Sequence, residues 1–173
     1  PLEQDATIEP LTFESAEGRE VYRHSSTHIM AQAVKEVFPT AQLTIGPALD
    51  DGFYYDFAFD RPFTPEDLEK IEARAIEIMK RGLTVTRSEL SKQDAIKFFQ
   101  ERGEGYKVEL INSFDDASPI SLYRQGEFVD LCRGPHLPTT GYVGAFKLLS
   151  TGGAYWRGDE RNPMLQRVYG TSF

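Results

Sequence analysis

Apolar residues repeat with a helical period in one early part of the chain. Within YRHSSTHIMAQAVKEVF (residues 22–38), apolar side chains recur every three or four positions, which predicts a helix. Pro39 cannot continue that helix and predicts its end. The polar SAEGRE before it (residues 15–20) predicts a turn, and the loose alternation of residues 7–13 predicts a strand.

Two further helices carry their own start and stop signals. Thr64 is a preferred cap residue and Pro65 suits the first helical position. An apolar stripe follows them, and Gly82 marks the end of this second helix. Ser91 predicts the cap of a third helix, which ends near Gly103.

The remaining apolar runs are short and bounded by turn residues, which predicts strands. Residues 42–49 and 53–59 form a hairpin across Asp-Asp-Gly, and residues 84–90 form another strand. Later strands are predicted for YKVELI, ISLY, EFVDLC, AFKLL, AYW and QRVYGTSF. Because helices and strands mix without a regular βαβ alternation, the pattern predicts an α+β fold with a mainly antiparallel sheet and packed helices.

The composition limits the kinds of partner that the chain is expected to bind. The net charge of −8 argues against a general nucleic-acid-coating surface, although it leaves room for recognition of one nucleic-acid end. The charge is uneven, since residues 124–173 carry +2 and the rest of the chain −10. The single cysteine excludes an internal disulfide and fits a reducing compartment. No apolar run approaches the ~18 residues of a membrane helix, which predicts no membrane partner.

All three histidines and the only cysteine fall into two five-residue stretches. HSSTH places His24 and His28 one helical turn apart on one face, and CRGPH brings Cys132 and His136 together at a Gly-Pro bend. One thiol and three imidazoles are a set of ligands that can coordinate zinc tetrahedrally. The first stretch is not the HExxH of metalloproteases, because position 25 is Ser.

The residues alone leave three interpretations of this set. The pattern can be a coincidence, in which each histidine is an ordinary core or surface residue whose hydrogen bonds are satisfied. The two stretches can form a zinc site. They can also line a metal-free polar catalytic pocket.

Longer stretches around these residues resemble a known family. HSSTHIMAQAVKEVFP, IGPALDDGFYYDF, GEGYKVELI, FVDLCRGPHLP and GGAYWRGDERNPMLQRVYGTSF resemble, in order, the N-terminal editing domain of bacterial threonyl-tRNA synthetases. The alanyl-tRNA editing domains share the HxxxH and CxxxH patterns. The resemblance implies a two-lobed editing-domain fold over residues 21–173, preceded in residues 1–20 by the end of a small domain and a linker.

The resemblance also implies a function. Such a domain is an aminoacyl-tRNA deacylase that hydrolyses mischarged Ser-tRNA(Thr) at the terminal ribose and spares Thr-tRNA(Thr). Its partners are the acceptor end of tRNA(Thr) carrying serine and the rest of the synthetase chain, in a cytoplasmic full-length homodimer. No class II aminoacylation motif is present, so this piece is not expected to attach amino acids.

Four residues acquire catalytic roles from the resemblance. His24 and Cys132 would hold the attacking water and the ribose hydroxyls. Lys107 would supply positive charge, and Asp130 would bind the ammonium group of serine. Cys132 as a covalent nucleophile is the alternative mechanism.

Three residues acquire substrate-binding roles in the same way. His28 and His136 would shape the pocket against the methyl group of threonine, and Tyr55 would flank the terminal adenosine.

On cofactors, the resemblance favours a pocket that requires no metal. If zinc binds, its ligands are His24, His28, Cys132 and His136. Two other function classes stay open: a zinc-binding structural module and a tRNA-end-binding module, each without catalysis.

Overall fold

The computed structural model describes residues 5, 7, 9–115 and 119–173. The predicted strand at 7–13 is wrong at residues 7 and 9–13, which form irregular chain and the start of a turn, while residue 8 lies outside the described residues.

The first helix, α1 (Ala16–Val37), begins earlier than the pattern predicts. Ser15 is its N-cap and accepts a hydrogen bond from Gly18 N at 3.0 Å, so the predicted turn at 15–20 is wrong. At Gly18 the helix lies very close to the preceding chain, because a Cβ there would lie 1.8 Å from Thr12 O.

The next two helices confirm their predicted signals. Helix α2 (Pro65–Arg81) is capped by Thr64 and ends at Gly82, and α3 (Lys92–Gln100) is capped by Ser91. The side-chain oxygen of an Asp, Ser or Thr at the N-cap accepts a hydrogen bond from one of the first backbone N–H groups, which have no partner within the helix.

The strand predicted for YKVELI is wrong, because this stretch is the helix α4 (Gly105–Asn112). Its buried positions include Lys107 and Ile111, with Glu104 buried just before the helix. These positions have helical spacing, but two of the three side chains are charged. A count of apolar residues therefore misses the helical period.

Among the described residues, eight strands form two antiparallel sheets. They are β1 (Gln42–Leu43), β2 (Ala48–Leu49), β3 (Gly52–Ala58), β4 (Val85–Leu90), β5 (Ile120–Gln125), β6 (Phe128–Leu131), β7 (Phe146–Tyr155) and β8 (Met164–Ser172). The larger sheet has the order β1-β3-β8-β7, with β2 also pairing with β3, and the smaller sheet has the order β4-β5-β6.

Three strand predictions change in detail. The strand predicted for 42–49 is interrupted between β1 and β2, where Pro47 has no N–H to donate. The predicted AFKLL and AYW strands are one continuous strand, β7, with an irregular register between Leu148 and Ser150. The antiparallel α+β class itself is confirmed.

In the part of the chain that the structure describes, two hydrophobic cores correspond to two lobes. In the first lobe, α1 and α2 pack together and against the larger sheet. In the second lobe, α3 and α4 pack together and share a core with β5. Among the residues described, no helix is both long and apolar enough to cross a membrane.

Candidate active site

Helix α1 carries unusual polar residues on its buried surface. Ser25, Ser26 and Thr27 are all buried. Their hydroxyl groups donate to backbone carbonyls of the preceding turn, at 2.8 Å to Val21 O, 3.0 Å to Tyr22 O and 2.7 Å to His24 O. Buried hydroxyls need such partners, and these bonds let the helix place two imidazoles inside the protein.

The CRGPH loop follows directly after β6 and is anchored to β5. Cys132 N donates to Ser121 O at 3.2 Å, and Ser121 Oγ donates to Cys132 O at 2.6 Å. Gly134 has a φ of +73°, and a Cβ at this position would lie 1.9 Å from the hydroxyl of Tyr123. The loop therefore requires glycine here, and Gly134 N donates to Cys132 Sγ at 3.2 Å.

The structure brings the two histidine-containing stretches together. Cys132 Sγ lies 3.3 Å from His24 Nε2 and 3.1 Å from His136 Nε2. The ring centroids of His28 and His136 are 4.1 Å apart. One ligand atom from each of the four residues lies within 4.8 Å of the others.

Ser25 is a site residue that the sequence reasoning missed. Its hydroxyl accepts from Leu137 N at 2.8 Å and lies 3.3 Å from His136 Nδ1. It therefore holds the CRGPH loop against α1 and orients the His136 ring. A hydroxyl between two histidines on a helix was the only signal that pointed to it.

A second polar group lies beside the imidazoles, around Asp130 on β6. Asp130 Oδ1 is 2.6 Å from Lys107 Nζ and accepts from Leu131 N at 2.7 Å. Asp130 Oδ2 accepts from the Tyr55 hydroxyl at 2.7 Å and lies 3.8 Å from His28 Nε2. Burial, reinforced by the Asp130 carboxylate, raises the pKa of Tyr55 well above its ordinary value, so the phenol remains a donor.

Burial sets the protonation of the cysteine and the histidines. It lowers the pKa of His24, although the Asp130 carboxylate opposes this effect. It lowers the pKa of His28 well below the ordinary value and also lowers that of His136. Burial raises the pKa of the Cys132 thiol to about 11, with partial opposition from the Gly134 N–H. At neutral pH the three rings are therefore uncharged and the thiol keeps its proton.

A cavity of about 650 Å³ opens onto both groups. Its described lining includes His24, His28, Tyr55, Lys107, Asp130 and Cys132. His136 is not among the described residues that line the cavity; its Nε2 lies 3.1 Å from Cys132 Sγ, and its ring lies against Tyr123 at a centroid distance of 4.5 Å. Tyr55 is 1% exposed, so it presents its hydroxyl to the site rather than an open ring face.

The four-residue set fits zinc in composition and approximately in spacing. Zinc bonds of about 2.0–2.3 Å hold tetrahedral ligands roughly 3.3–3.8 Å apart. The two contacts of Cys132 Sγ, at 3.1 and 3.3 Å, are near this range, and the widest separation in the set is within 4.8 Å. Small side-chain shifts would complete a site, but the same two contacts also suit direct hydrogen bonds between thiol and imidazole.

Known proteins match this chain over its whole length. Residues 120–169, which contain Asp130, Cys132 and His136, match the family model of the threonyl and alanyl tRNA synthetase second additional domain. The threonine–tRNA ligase of Acidithiobacillus ferrooxidans is 60% identical over 172 residues, which are 99% of this chain and 27% of that protein. That of Symbiobacterium thermophilum is 59% identical over 172 residues, again 99% of this chain and 26% of the relative.

A third relative gives the same result. The threonine–tRNA ligase of Citrifermentans bemidjiense is 60% identical over 173 residues, which are 100% of this chain and 27% of the relative. The chain thus spans about a quarter of the length of the curated relatives it matches. Over its whole length the chain is thus about 60% identical to the N-terminal part of bacterial threonine–tRNA ligases, and its residues 120–169 match the threonyl and alanyl tRNA synthetase second additional domain.

Proposed function

We propose that this domain hydrolyses the ester that joins a misattached serine to the terminal ribose of tRNA(Thr), and that it spares Thr-tRNA(Thr). The observation that carries this proposal is the cavity, where a buried carboxylate, Asp130, lies beside neutral imidazoles and a protonated thiol. The family supplies the substrate class, because the relatives are named as threonine–tRNA ligases.

Asp130 is the group suited to the ammonium of serine. Its carboxylate is 1% exposed and already held by Lys107, Tyr55 and the backbone N–H of Leu131. A carboxylate fixed in this way accepts a further charged donor without reorganising, which strengthens the hydrogen bond. Binding the ammonium at Asp130 would direct the ester towards His24 and Cys132.

Hydrolysis requires a positioned water, stabilisation of the developing oxyanion and a proton for the leaving ribose hydroxyl. We assign the water and the ribose hydroxyls to His24 Nε2 and Cys132 Sγ, which lie 3.3 Å apart at the cavity. Lys107 Nζ bonds Asp130 and the Tyr55 hydroxyl at 2.6 and 3.0 Å, and its remaining positive field would stabilise the oxyanion.

Selectivity must come from shape, because serine differs from threonine by one methyl group. A missing methylene is worth only about 1–3 kcal/mol, so an aminoacylation site built for threonine cannot fully reject serine. A second site that excludes the larger side chain solves this problem, as in other editing synthetases. In this cavity we assign the wall to His28, whereas His136, which contacts Cys132 Sγ, would position the thiol and the other rings.

The wider context is part of the same proposal. In a protein as long as the relatives, the remaining three quarters of the chain would perform aminoacylation in a cytoplasmic homodimer. The chain before α1 would lead into this domain from a preceding small domain, so the boundary would lie near Ser15 and not at residue 20, which is inside α1. Tyr55 keeps a substrate-binding role through the hydroxyl that fixes Asp130.

The test of hydrolysis compares the chain with its Asp130→Asn variant on Ser-tRNA(Thr). We expect rapid release of serine by the parent and release near the spontaneous rate by the variant, whose neutral amide cannot hold the ammonium group. Circular dichroism would verify that the variant is folded. Release at the spontaneous rate by the parent would contradict the proposal.

A zinc-binding module is the second candidate, favoured by the ligand set of His24, His28, Cys132 and His136. With all four residues as ligands, zinc would be held in a closed tetrahedral site and would stabilise the fold rather than activate a water. The test is metal analysis of the purified protein with activity before and after chelation. We expect little zinc and unchanged activity. One zinc per chain, lost together with activity or with the fold, would favour this second candidate.

A further inference from the structure

Arg133 is an exposed side chain next to Cys132, and it lines the same cavity as the proposed catalytic groups. The side chain of every other arginine in the described part of the chain makes a hydrogen bond or an ion pair, whereas the side chain of Arg133 makes neither with a described residue. Its guanidinium therefore offers a full set of donors at the mouth of the cavity.

The backbone around Arg133 is held in place, so its unpaired side chain is not part of a loose loop. Cys132, just before it, exchanges two hydrogen bonds with Ser121, at 3.2 and 2.6 Å. Gly134, just after it, donates to Cys132 Sγ at 3.2 Å. The chain thus fixes where the guanidinium starts and leaves its end available to a ligand.

The exposure of three residues increases in order along this segment. Asp130 is 1% exposed, Cys132 is partly buried, and Arg133 is exposed. A negative group therefore lies at the buried end of the cavity, a neutral polar group lies in the middle, and a positive group lies at the mouth.

An aminoacylated nucleotide has the complementary order of charges. Its ammonium group is cationic, its ester and ribose are neutral, and its 5′-phosphate is anionic. We infer that Arg133 binds the phosphate that joins the terminal nucleotide to the rest of the RNA strand. This inference rests on the proposed function, because it takes the ammonium at Asp130 and the ester at Cys132 as the two other contacts.

Arg133 would thereby act in binding and not in the chemical step. A guanidinium matches phosphate geometry with two parallel donors. Because this contact lies at the exposed mouth of the cavity, its contribution is moderate and is weakened by salt. It would favour esters on an RNA strand over free seryl esters, which have no phosphate.

The experiment is a double-mutant-type cycle, in which the Arg133 side chain and the phosphate of a probe are removed singly and together. The probe is 3′-deoxy-3′-(serylamino)adenosine, a stable amide, with and without a 5′-phosphate, and dissociation constants are measured by calorimetry. For the parent we expect the phosphate to tighten binding about fivefold at low salt. In Arg133→Gln this gain should disappear, while the affinity for the probe without phosphate stays the same.

Arg124→Gln is the matched control, since the Arg124 side chain is also exposed and, among the described residues, makes only a 3.5 Å hydrogen bond to Gly126 O. It should keep the full phosphate gain. An equal gain in the parent and in Arg133→Gln, no gain in the parent, or no binding of either probe would overturn the inference. The proposed function is judged separately, by release of serine from Ser-tRNA(Thr), so either claim can fail alone.

Discussion

Lys107 Nζ lies 2.6 Å from Asp130 Oδ1, and the two side chains are 3% and 1% exposed. The pair joins α4 to β6, and the Tyr55 hydroxyl bridges it by donating to Asp130 and accepting from Lys107. A buried ion pair tolerates the loss of neither partner, because the remaining charge has left water without compensation. The centre of the proposed site is thus also a point on which the fold depends.

Replacing Lys107 should therefore reduce both stability and activity. We expect Lys107→Met to lower the free energy of unfolding by about 3–5 kcal/mol and serine release by ~10²–10³-fold. Lys147→Met is the control, since Lys147 is 67% exposed and its pair with Glu72 is worth at most about 1 kcal/mol. Urea unfolding and deacylation assays measure the two effects, and similar small losses in both variants would contradict this role.

Cys132 should act without forming a covalent intermediate. Burial raises the pKa of its thiol to about 11, so little thiolate is present at neutral pH. We expect Cys132→Ser to slow hydrolysis, and neither parent nor variant to carry serine. Intact-protein mass spectrometry during turnover checks this, and a mass increase equal to one seryl group would show the covalent mechanism instead.

His24 lines the cavity and His136 does not, so replacing these two histidines should have different effects. His24 lines the cavity, so His24→Ala should slow serine release by ~10²-fold or more. His136 contacts Cys132 Sγ and is not among the described residues that line the cavity, so His136→Ala should slow release less and leave the preference for serine over threonine unchanged. Rates on both charged tRNAs test this. Loss of the preference in His136→Ala would return this ring to the wall that excludes threonine.

Acid should weaken the cap of α2. A hydrogen bond from Arg61 lowers the pKa of Asp67 from 3.8 to about 2, and the backbone N–H of Thr64 donates to the same carboxylate. Because the folded pKa is depressed, this stabilisation is complete above about pH 4 and is lost as the pH falls towards 2. The urea midpoint of Asp67→Asn should therefore lie below that of the parent at pH 6 and approach it near pH 2. Asp60→Asn is the exposed control, and a gap independent of pH would contradict the assignment.

The sequence predicts well those elements whose apolar spacing and caps agree. Thr64 and Gly82 bound α2 as expected, and the HxxxH spacing places His24 and His28 on one helix. It fails at α4, where the buried face includes Glu104 and Lys107. These charges are stable inside only because Lys35 and Asp130, distant in sequence, pair with them.

The position of His136 relative to the cavity could not be predicted from the sequence either. Its motif places it near Cys132, but the side of the thiol on which it lies depends on Ser25 and Tyr123, which contact its ring. Such tertiary contacts between separate elements have no local signature. The membership of the set could be predicted, while the arrangement of its members around the cavity required the structure.

The most direct test of editing is the ratio of two deacylation rates on the same tRNA. Ser-tRNA(Thr) and Thr-tRNA(Thr) are incubated separately with excess chain, and single-turnover release of each amino acid is followed against the spontaneous rate. The site proposed here predicts fast release of serine and release of threonine slower by at least about tenfold, the discrimination available from one methyl group. Equal rates on the two substrates would contradict it.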